Sequence, residues 1–271
     1  MYFNLLRPVN VSGVFIVLAI VAVLAIVFAL LIVLVSKLCA VKVDEKAEAI
    51  QEHLAGANCG GCGYAGCADY AKALSEGKAS LTACGPTSNQ EKTQIAKILG
   101  IPFSGDEPVC AVVHCAGGHK ALDKYNYVGN HGCIEQNALL GGKKACPTGC
   151  IGEGSCLERC SNNAIKIVDG VATVVPELCF SCKVCVNVCP KKIISMVPKK
   201  SKVYIACSSN CKGKDVMSVC KVGCIGCGLC AKNCPEGAIV MENNVAVIDY
   251  SKCTGCKTCM AKCPRKIIRE F

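Results

Sequence analysis

Residues 224–235 read CIGCGLCAKNCP, residues 253–264 read CTGCKTCMAKCP, and residues 179–190, further upstream, read CFSCKVCVNVCP. Each run sets four cysteines at the spacing C-x2-C-x2-C-x3-C and closes on a proline. The runs belong to a larger period. Cysteines 133, 146, 150, 156, 160, 179, 182, 185 and 189 recur 74 residues later, without a gap, at 207, 220, 224, 230, 234, 253, 256, 259 and 263. Chance does not keep nine thiols in register, so this part of the chain is a duplicated cassette.

The spacing is that of bacterial ferredoxins, in which three close thiolates hold a 4Fe-4S cube and the fourth, before proline, ligates the neighbouring cluster. Two runs therefore make two interlocked clusters. In the second cassette the expected ligand sets are Cys224, Cys227, Cys230 with Cys263, and Cys234 with Cys253, Cys256, Cys259. In the first, Cys160 joins Cys179, Cys182 and Cys185, although Ser161 follows it in place of proline. The other set of the first cassette is broken, because Glu153 stands where the repeat puts Cys227. Cys146 is the expected replacement, giving Cys146, Cys150, Cys156 and Cys189, and its repeat partner Cys220 is left spare.

Between the thiol runs, AIKIVDGVATVV (164–175) and AIVMENNVAVID (238–249) alternate apolar and polar residues. Each reads as two short strands joined at Asp169-Gly170 or Asn243-Asn244. Helical turns are expected at Lys183–Val188 and Lys257–Lys262. The fold class is α+β, with two tandem bacterial-type ferredoxin modules of two 4Fe-4S clusters each. An apolar core this small leaves the clusters to supply much of the folding energy.

Twenty-seven cysteines in 271 residues would suggest a disulfide scaffold in a short secreted chain. Here the number is odd and the thiols stand in tight triplets that cannot pair with one another. Zinc ribbons use CxxC pairs separated by a loop, which is not this spacing. The formal charge of +10 counts every thiol as neutral. Each oxidised cubane held by four thiolates adds about −2, so five would bring the loaded chain close to neutral. With no tryptophan and no basic run interleaved with aromatics, nucleic acid is not an expected partner.

Val14 to Val35 is free of charge, long enough to cross about 30 Å of hydrocarbon as a transmembrane helix. Arg7 precedes it and Lys37, Lys42 and Lys46 follow, which predicts a cytoplasmic C-terminal bulk. Cys39 reads as a packing residue at the membrane boundary. A short amphipathic helix is expected from Val43 to about Gly56. Next comes GANCGGCGYAGC, with Cys59, Cys62 and Cys67, a helix opened by Cys67, and then Cys84. Five glycines around the first three thiols let the backbone wrap closely and aim N–H groups at sulfur. These four thiols are expected to hold a single 4Fe-4S cluster in a small helical domain. The domain plan is 1–38 anchor, 43–100 single-cluster domain, 101–132 linker, 133–200 first ferredoxin module and 201–271 second module.

An N-terminal apolar helix, a GANCGGCGYAGC segment closed by Cys84-Gly85-Pro86, and ferredoxin cassettes, in that order, resemble the B subunit of the Rnf ion-translocating oxidoreductase complex. The resemblance spans essentially the whole chain. It implies a membrane complex that passes electrons between reduced ferredoxin and NAD while moving sodium ions or protons, with other membrane subunits and soluble ferredoxin as partners. The simplest members have one ferredoxin cassette, so the second cassette is a departure. Two other readings are a tethered polyferredoxin serving another partner, such as a redox-sensing regulator, and an iron-sulfur subunit of a corrinoid or hydrogenase-type enzyme. No G-x-G-x-x-G, P-loop or Ser-His-Asp pattern appears, so hydride chemistry is expected elsewhere.

Five clusters use twenty cysteines. Cys39, Cys110, Cys115, Cys133, Cys207, Cys211 and Cys220 remain. Cys133 and Cys207 are partners in the repeat, and with Cys110, Cys115 or Cys211 they would complete a further cluster or else pack as small apolar groups. His114, beside Cys115, is a further ligand candidate. Lys191, Lys192, Lys199, Lys200 and Lys202 are candidates for docking an acidic ferredoxin.

Overall fold

The computed structural model describes residues 11–38 and 44–270. Arg7, Cys39 and Lys42 lie outside the described residues. The helices are α1 (Val11–Leu38), α2 (Glu45–Glu52), α3 (Cys67–Ser75), α4 (Asn89–Leu99), α5 (Cys133–Ala138), α6 (Ser155–Glu158), α7 (Val184–Val188), α8 (Gly213–Val219), α9 (Leu229–Lys232) and α10 (Thr258–Lys262). The strands are β1 (Val109–Val113), β2 (Ile165–Val168), β3 (Val171–Val174), β4 (Ile194–Pro198), β5 (Val203–Ile205), β6 (Ile239–Glu242), β7 (Val245–Ile248) and β8 (Ile268–Glu270). The chain divides into two compact units, 1–44 and 45–271.

The first unit contains α1, within which Phe15–Lys37 is a stretch of 23 residues whose most apolar part reaches a mean hydropathy of 3.6, with none of that part buried. By length and composition it is a candidate membrane span.

The second unit begins with a helical domain. Apolar residues at helical spacing bring Ile50 of α2, Tyr70 and Leu74 of α3, and Ile95 of α4 into one core. Ser88 caps α4 by accepting the Glu91 N–H at 3.3 Å, and Gly100, at φ 72°, ends it. Buried Lys92 is held by Asp106 at 2.5 Å.

Two β-rich modules follow, each made of two antiparallel pairs. The expected hairpins are β2–β3 and β6–β7. Their turns place Asp169 and Gly170 at φ 50° and 74°, and Asn243 and Asn244 at 45° and 67°, the left-handed pair that a two-residue hairpin requires. The second pair of each module joins its first strand to its last: β1 with β4, and β5 with β8.

These terminal pairs fix the true correspondence of the modules. His114 N–H bonds Ile193 O just beyond β1–β4, and Ala206 N–H bonds Ile267 O just beyond β5–β8. Cys115 is therefore the structural counterpart of Cys207, 92 residues away, whereas Cys150 and Cys224 are 74 apart. The difference of 18 residues is an insertion between Cys115 and Cys146 that contains α5. The equal spacing of Cys133 and Cys207 is thus not a structural equivalence. The segment 101–132, read from sequence as a linker, supplies β1.

Candidate metal centres

The first ferredoxin module contains two thiol-lined cavities. One is walled by Cys160, Cys179, Cys182 and Cys185, with Ile165, Leu178 and Met196 between them. α7 begins at Val184, so Cys185 sits in its first turn while Cys179 and Cys182 lie on the loop before it. The hairpin strand β2 starts one residue after Ala164, whose N–H reaches Cys160 Sγ at 3.3 Å. Burial, then the neighbouring thiols, push Cys185 up to about 12.

The other cavity departs from the sequence reading. It is lined by Cys133, Cys150, Cys156 and Cys189, and Cys146 is not among them. The physical reason lies in the insertion. Helix α5 opens at Cys133, whose N–H bonds Ser155 Oγ at 2.9 Å and so brings its thiol beside Cys156. Glu153, at the position of the lost cysteine, turns away to Lys143 at 2.7 Å and His131 at 3.3 Å. Burial pushes Cys156 up to about 12, and the crowding of Cys150, Cys133, Cys189 and Cys185 adds to it. The sequence reading kept Cys133 as a spare thiol for a further cluster and gave this set to Cys146, because Cys133 lies 23 residues before Cys156, outside the ferredoxin motif.

In the second module, Cys224, Cys227, Cys230 and Cys263 line one cavity. Cys253 and Cys256 crowd buried Cys259, whose thiol burial pushes up to about 11, and Cys234 and Cys253 pack on the same core. Cys227 and Cys256 are exposed, unlike the other described thiols.

In the helical domain, Cys84 is buried in the core, and Cys62 and Cys67 pack against it. Asn58 accepts the Cys67 N–H at 2.8 Å, which fixes the start of α3. Cys59 faces the first module. It is close enough to Cys182 to oppose ionisation of that thiol, and the backbone there is in intimate contact. A Cβ on Gly61 would lie 1.7 Å from Cys182 O, and one on Gly85 would lie 2.0 Å from Ser181 O. Only glycine permits this approach.

Of the remaining candidates, Cys110 is fully buried with Val112 and Val197, on the face of β1 opposite Ala111 and Val113, and packs against Cys179, Tyr204 and Tyr250. His114 is no ligand, since its ring bonds Ile205 O and Ser195 Oγ, each at 2.6 Å. Its burial lowers its pKa. Cys115, Cys146, Cys207 and Cys220 line a separate cavity between the modules, and Cys211 packs behind it on Val216 and Cys220.

All described cysteines are free thiols. Among the described residues, no three cysteine, histidine or acidic side chains converge closely enough for a single metal ion. With Zn–S bonds of about 2.3 Å, zinc would draw its thiolates within about 4 Å of each other. Thiols spread around apolar cavities, with backbone N–H groups aimed at sulfur, suit a multi-iron core instead. A 4Fe-4S group held there would supply one-electron storage at low potential, on the order of −400 mV.

Three segments match known family models: an Fe-S cluster family over residues 54–86, a 4Fe-4S binding domain over 172–195 and a 4Fe-4S dicluster domain over 223–267. The chain is 37% identical to the B subunit of an ion-translocating oxidoreductase complex from Methanosarcina acetivorans, over 92% of this chain and 96% of the relative. This chain belongs to the B-subunit family of ion-translocating oxidoreductase complexes. Among other relatives in the family, one from Acetobacterium woodii, of a sodium-translocating ferredoxin:NAD oxidoreductase complex, is 36% identical over 97% of this chain and 77% of its own length. Another, from Clostridium ljungdahlii and a proton-translocating complex of the same kind, is 39% identical over 96% and 93%. Membership makes this chain an electron-transfer subunit of an oxidoreductase complex, with iron-sulfur clusters as its means of carrying electrons.

Proposed function

We propose that this chain takes electrons from reduced ferredoxin on the cytoplasmic side of a membrane and relays them to partner subunits of a ferredoxin:NAD oxidoreductase complex. The donor and acceptor are those in the names of the Acetobacterium and Clostridium relatives. The sidedness rests on the lysines that follow the apolar helix. Five clusters make the relay: one on Cys59, Cys62, Cys67 and Cys84, two in the first ferredoxin module, with Cys133 in place of Cys146, and two in the second. The observation that carries the reading is the close approach of Gly61 and Gly85 to Cys182 and Ser181, which joins the single-cluster domain to the ferredoxin modules.

Ferredoxin meets the second module, where Cys227 and Cys256 reach the surface. The basic residues of the first module are a poorer docking face than their number suggests. Lys191 is committed to Pro147 O at 2.7 Å, Lys199 to Pro176 O at 2.9 Å and Lys200 to Glu107 at 2.7 Å. The test is anaerobic stopped-flow mixing of the loaded chain with reduced ferredoxin across a salt series. Bleaching of the cluster absorbance by ferredoxin, slowing with salt, is the expected result. Reduction by dithionite with none by ferredoxin refutes the donor, and salt-independent rates remove the electrostatic docking.

A further inference from the structure

We propose that Cys115, Cys146, Cys207 and Cys220 hold a sixth 4Fe-4S cluster, shared between the two ferredoxin modules and bridging them. The inference rests on the iron-sulfur relay reading and extends it. None of the five sets uses these thiols, yet they line one cavity together with Ala116, Ala121, Ala206, Val216 and Val222. The open space at that site, solvent at its mouth included, is about 350 Å³, against about 380, 350 and 320 Å³ on the same measure for the three thiol cavities of the ferredoxin type.

The four thiols come as two pairs related by the module repeat. Cys115 corresponds to Cys207 by strand register, and Cys146 to Cys220 by the 74-residue period. Each module thus contributes the same two positions, and neither module alone has a complete set. This explains why both repeats carry cysteines that the ferredoxin motif does not need.

The backbone around the cavity is arranged for sulfur. Cys115 Sγ accepts N–H groups from Gly117 and Cys150, both at 3.4 Å, and Cys207 Sγ accepts that of Cys224 at 3.3 Å. Such bonds stabilise anionic cluster sulfur. Gly117 forms part of the cradle, since a Cβ there would lie 3.5 Å from Cys220 Sγ and 3.6 Å from Cys115 Sγ. The modules are fastened on either side of the cavity. Leu122 N–H bonds Val219 O at 2.8 Å and Lys221 N–H bonds Lys120 O at 3.0 Å. His114 bridges Ser195 of one module and Ile205 of the other.

Position gives the site its role. Cys150 and Cys224, which donate to its two best-supported thiols, are themselves ligand candidates of the adjoining cavities in the first and second modules. Each module thus has one hydrogen bond leading from its own ligand candidates to this site. A cluster here would add a stepping point where the cassettes meet.

The test is iron and acid-labile sulfide per full-length chain, purified anaerobically, with Mössbauer counting of cubane iron. The expected value is about 24 iron atoms. A Cys115→Ala/Cys220→Ala variant should fall to about 20, while Cys110→Ala and Cys211→Ala keep the full complement. A wild-type count of about 20, with or without one zinc, overturns the sixth cluster and leaves the relay standing. Retention of all the iron by the double variant also overturns it. Should the double variant lose every cluster through misfolding, the wild-type count still decides. A wild-type chain with no cubane iron would instead refute the relay reading itself.

Discussion

Gly61→Ala tests whether the helical domain passes electrons directly to the first ferredoxin module. The added Cβ would stand 1.7 Å from Cys182 O and 2.9 Å from the Cys182 carbonyl carbon. Ordinary contact begins at 3.4 Å, so the two backbones must separate by about 1.7 Å, the difference between those distances. Both partners are backbone, and no side-chain rotation relieves the clash. Overpacking of this kind costs about 1–3 kcal/mol, which converts to a roughly 5- to 150-fold shift towards the separated arrangement. The clash falls on the carbonyl of Cys182 and beside Cys62, both ligand candidates, so iron per chain is measured in the same samples and the kinetics are compared between preparations of equal iron content. Electron transfer falls off steeply with distance, so the cluster of this domain should fill late. The assay is rapid-freeze EPR after mixing with a limiting reductant, comparing wild type, Gly61→Ala and Gly85→Ala. Wild-type filling kinetics in both variants, with an unchanged thermal midpoint, would refute the direct contact.

Three further outcomes follow from the geometry. Cys133→Ala should remove or convert the cluster on Cys150, Cys156 and Cys189, seen as a changed EPR signal of the first module, whereas Cys146→Ala should leave that signal intact; the opposite pattern would make Cys146 the fourth ligand. His114→Ala removes two buried hydrogen bonds and strands the Ile205 carbonyl, for a loss of about 1–3 kcal/mol read from the denaturant midpoint; an unchanged midpoint contradicts its role as a fastening between modules. Anaerobic chelation of iron should melt the β-rich modules, whose cores include their own thiols, and spare the helices packed on Ile50, Tyr70 and Ile95. A cooperatively folded apo chain with its β-hairpins intact, judged by circular dichroism and hydrogen exchange, would count against the metal-dependent core.

The local elements were legible because short-range rules decide them. The hairpins at Asp169-Gly170 and Asn243-Asn244 and the helix opened by Cys67 follow from turn and helix-start chemistry. The strand pairs β1–β4 and β5–β8 were not. They join segments separated by most of a module, and no local signal records such a partner. The same gap separates the expected Cys146 from the thiol that lines the cavity of Cys150, Cys156 and Cys189, which is Cys133. A period of 74 residues matches thiols by number, but the insertion brings a thiol into that cavity on a nearby helix, from outside the motif. The signal was Glu153, which announced a missing ligand without saying where the substitute would come from.

The two modules are therefore unequal in how far they open to the surface. In the second, Cys227 lies at the surface. In the first, its place is taken by Glu153, a side chain only 15% exposed, which pairs with Lys143 and His131 of the insertion. The insertion thus covers in one module the surface that the other leaves open, and it supplies Cys133 as it does so. A cluster screened from water and anchored by buried thiols meets small-molecule oxidants less readily and exchanges electrons mainly with its protein neighbours. The exposed thiols suit contact with a soluble donor, and the covered module suits transmission towards the helical domain. On the proposed relay, the insertion that breaks the repeat would make one of two ferredoxin copies the outward end and the other the inward end.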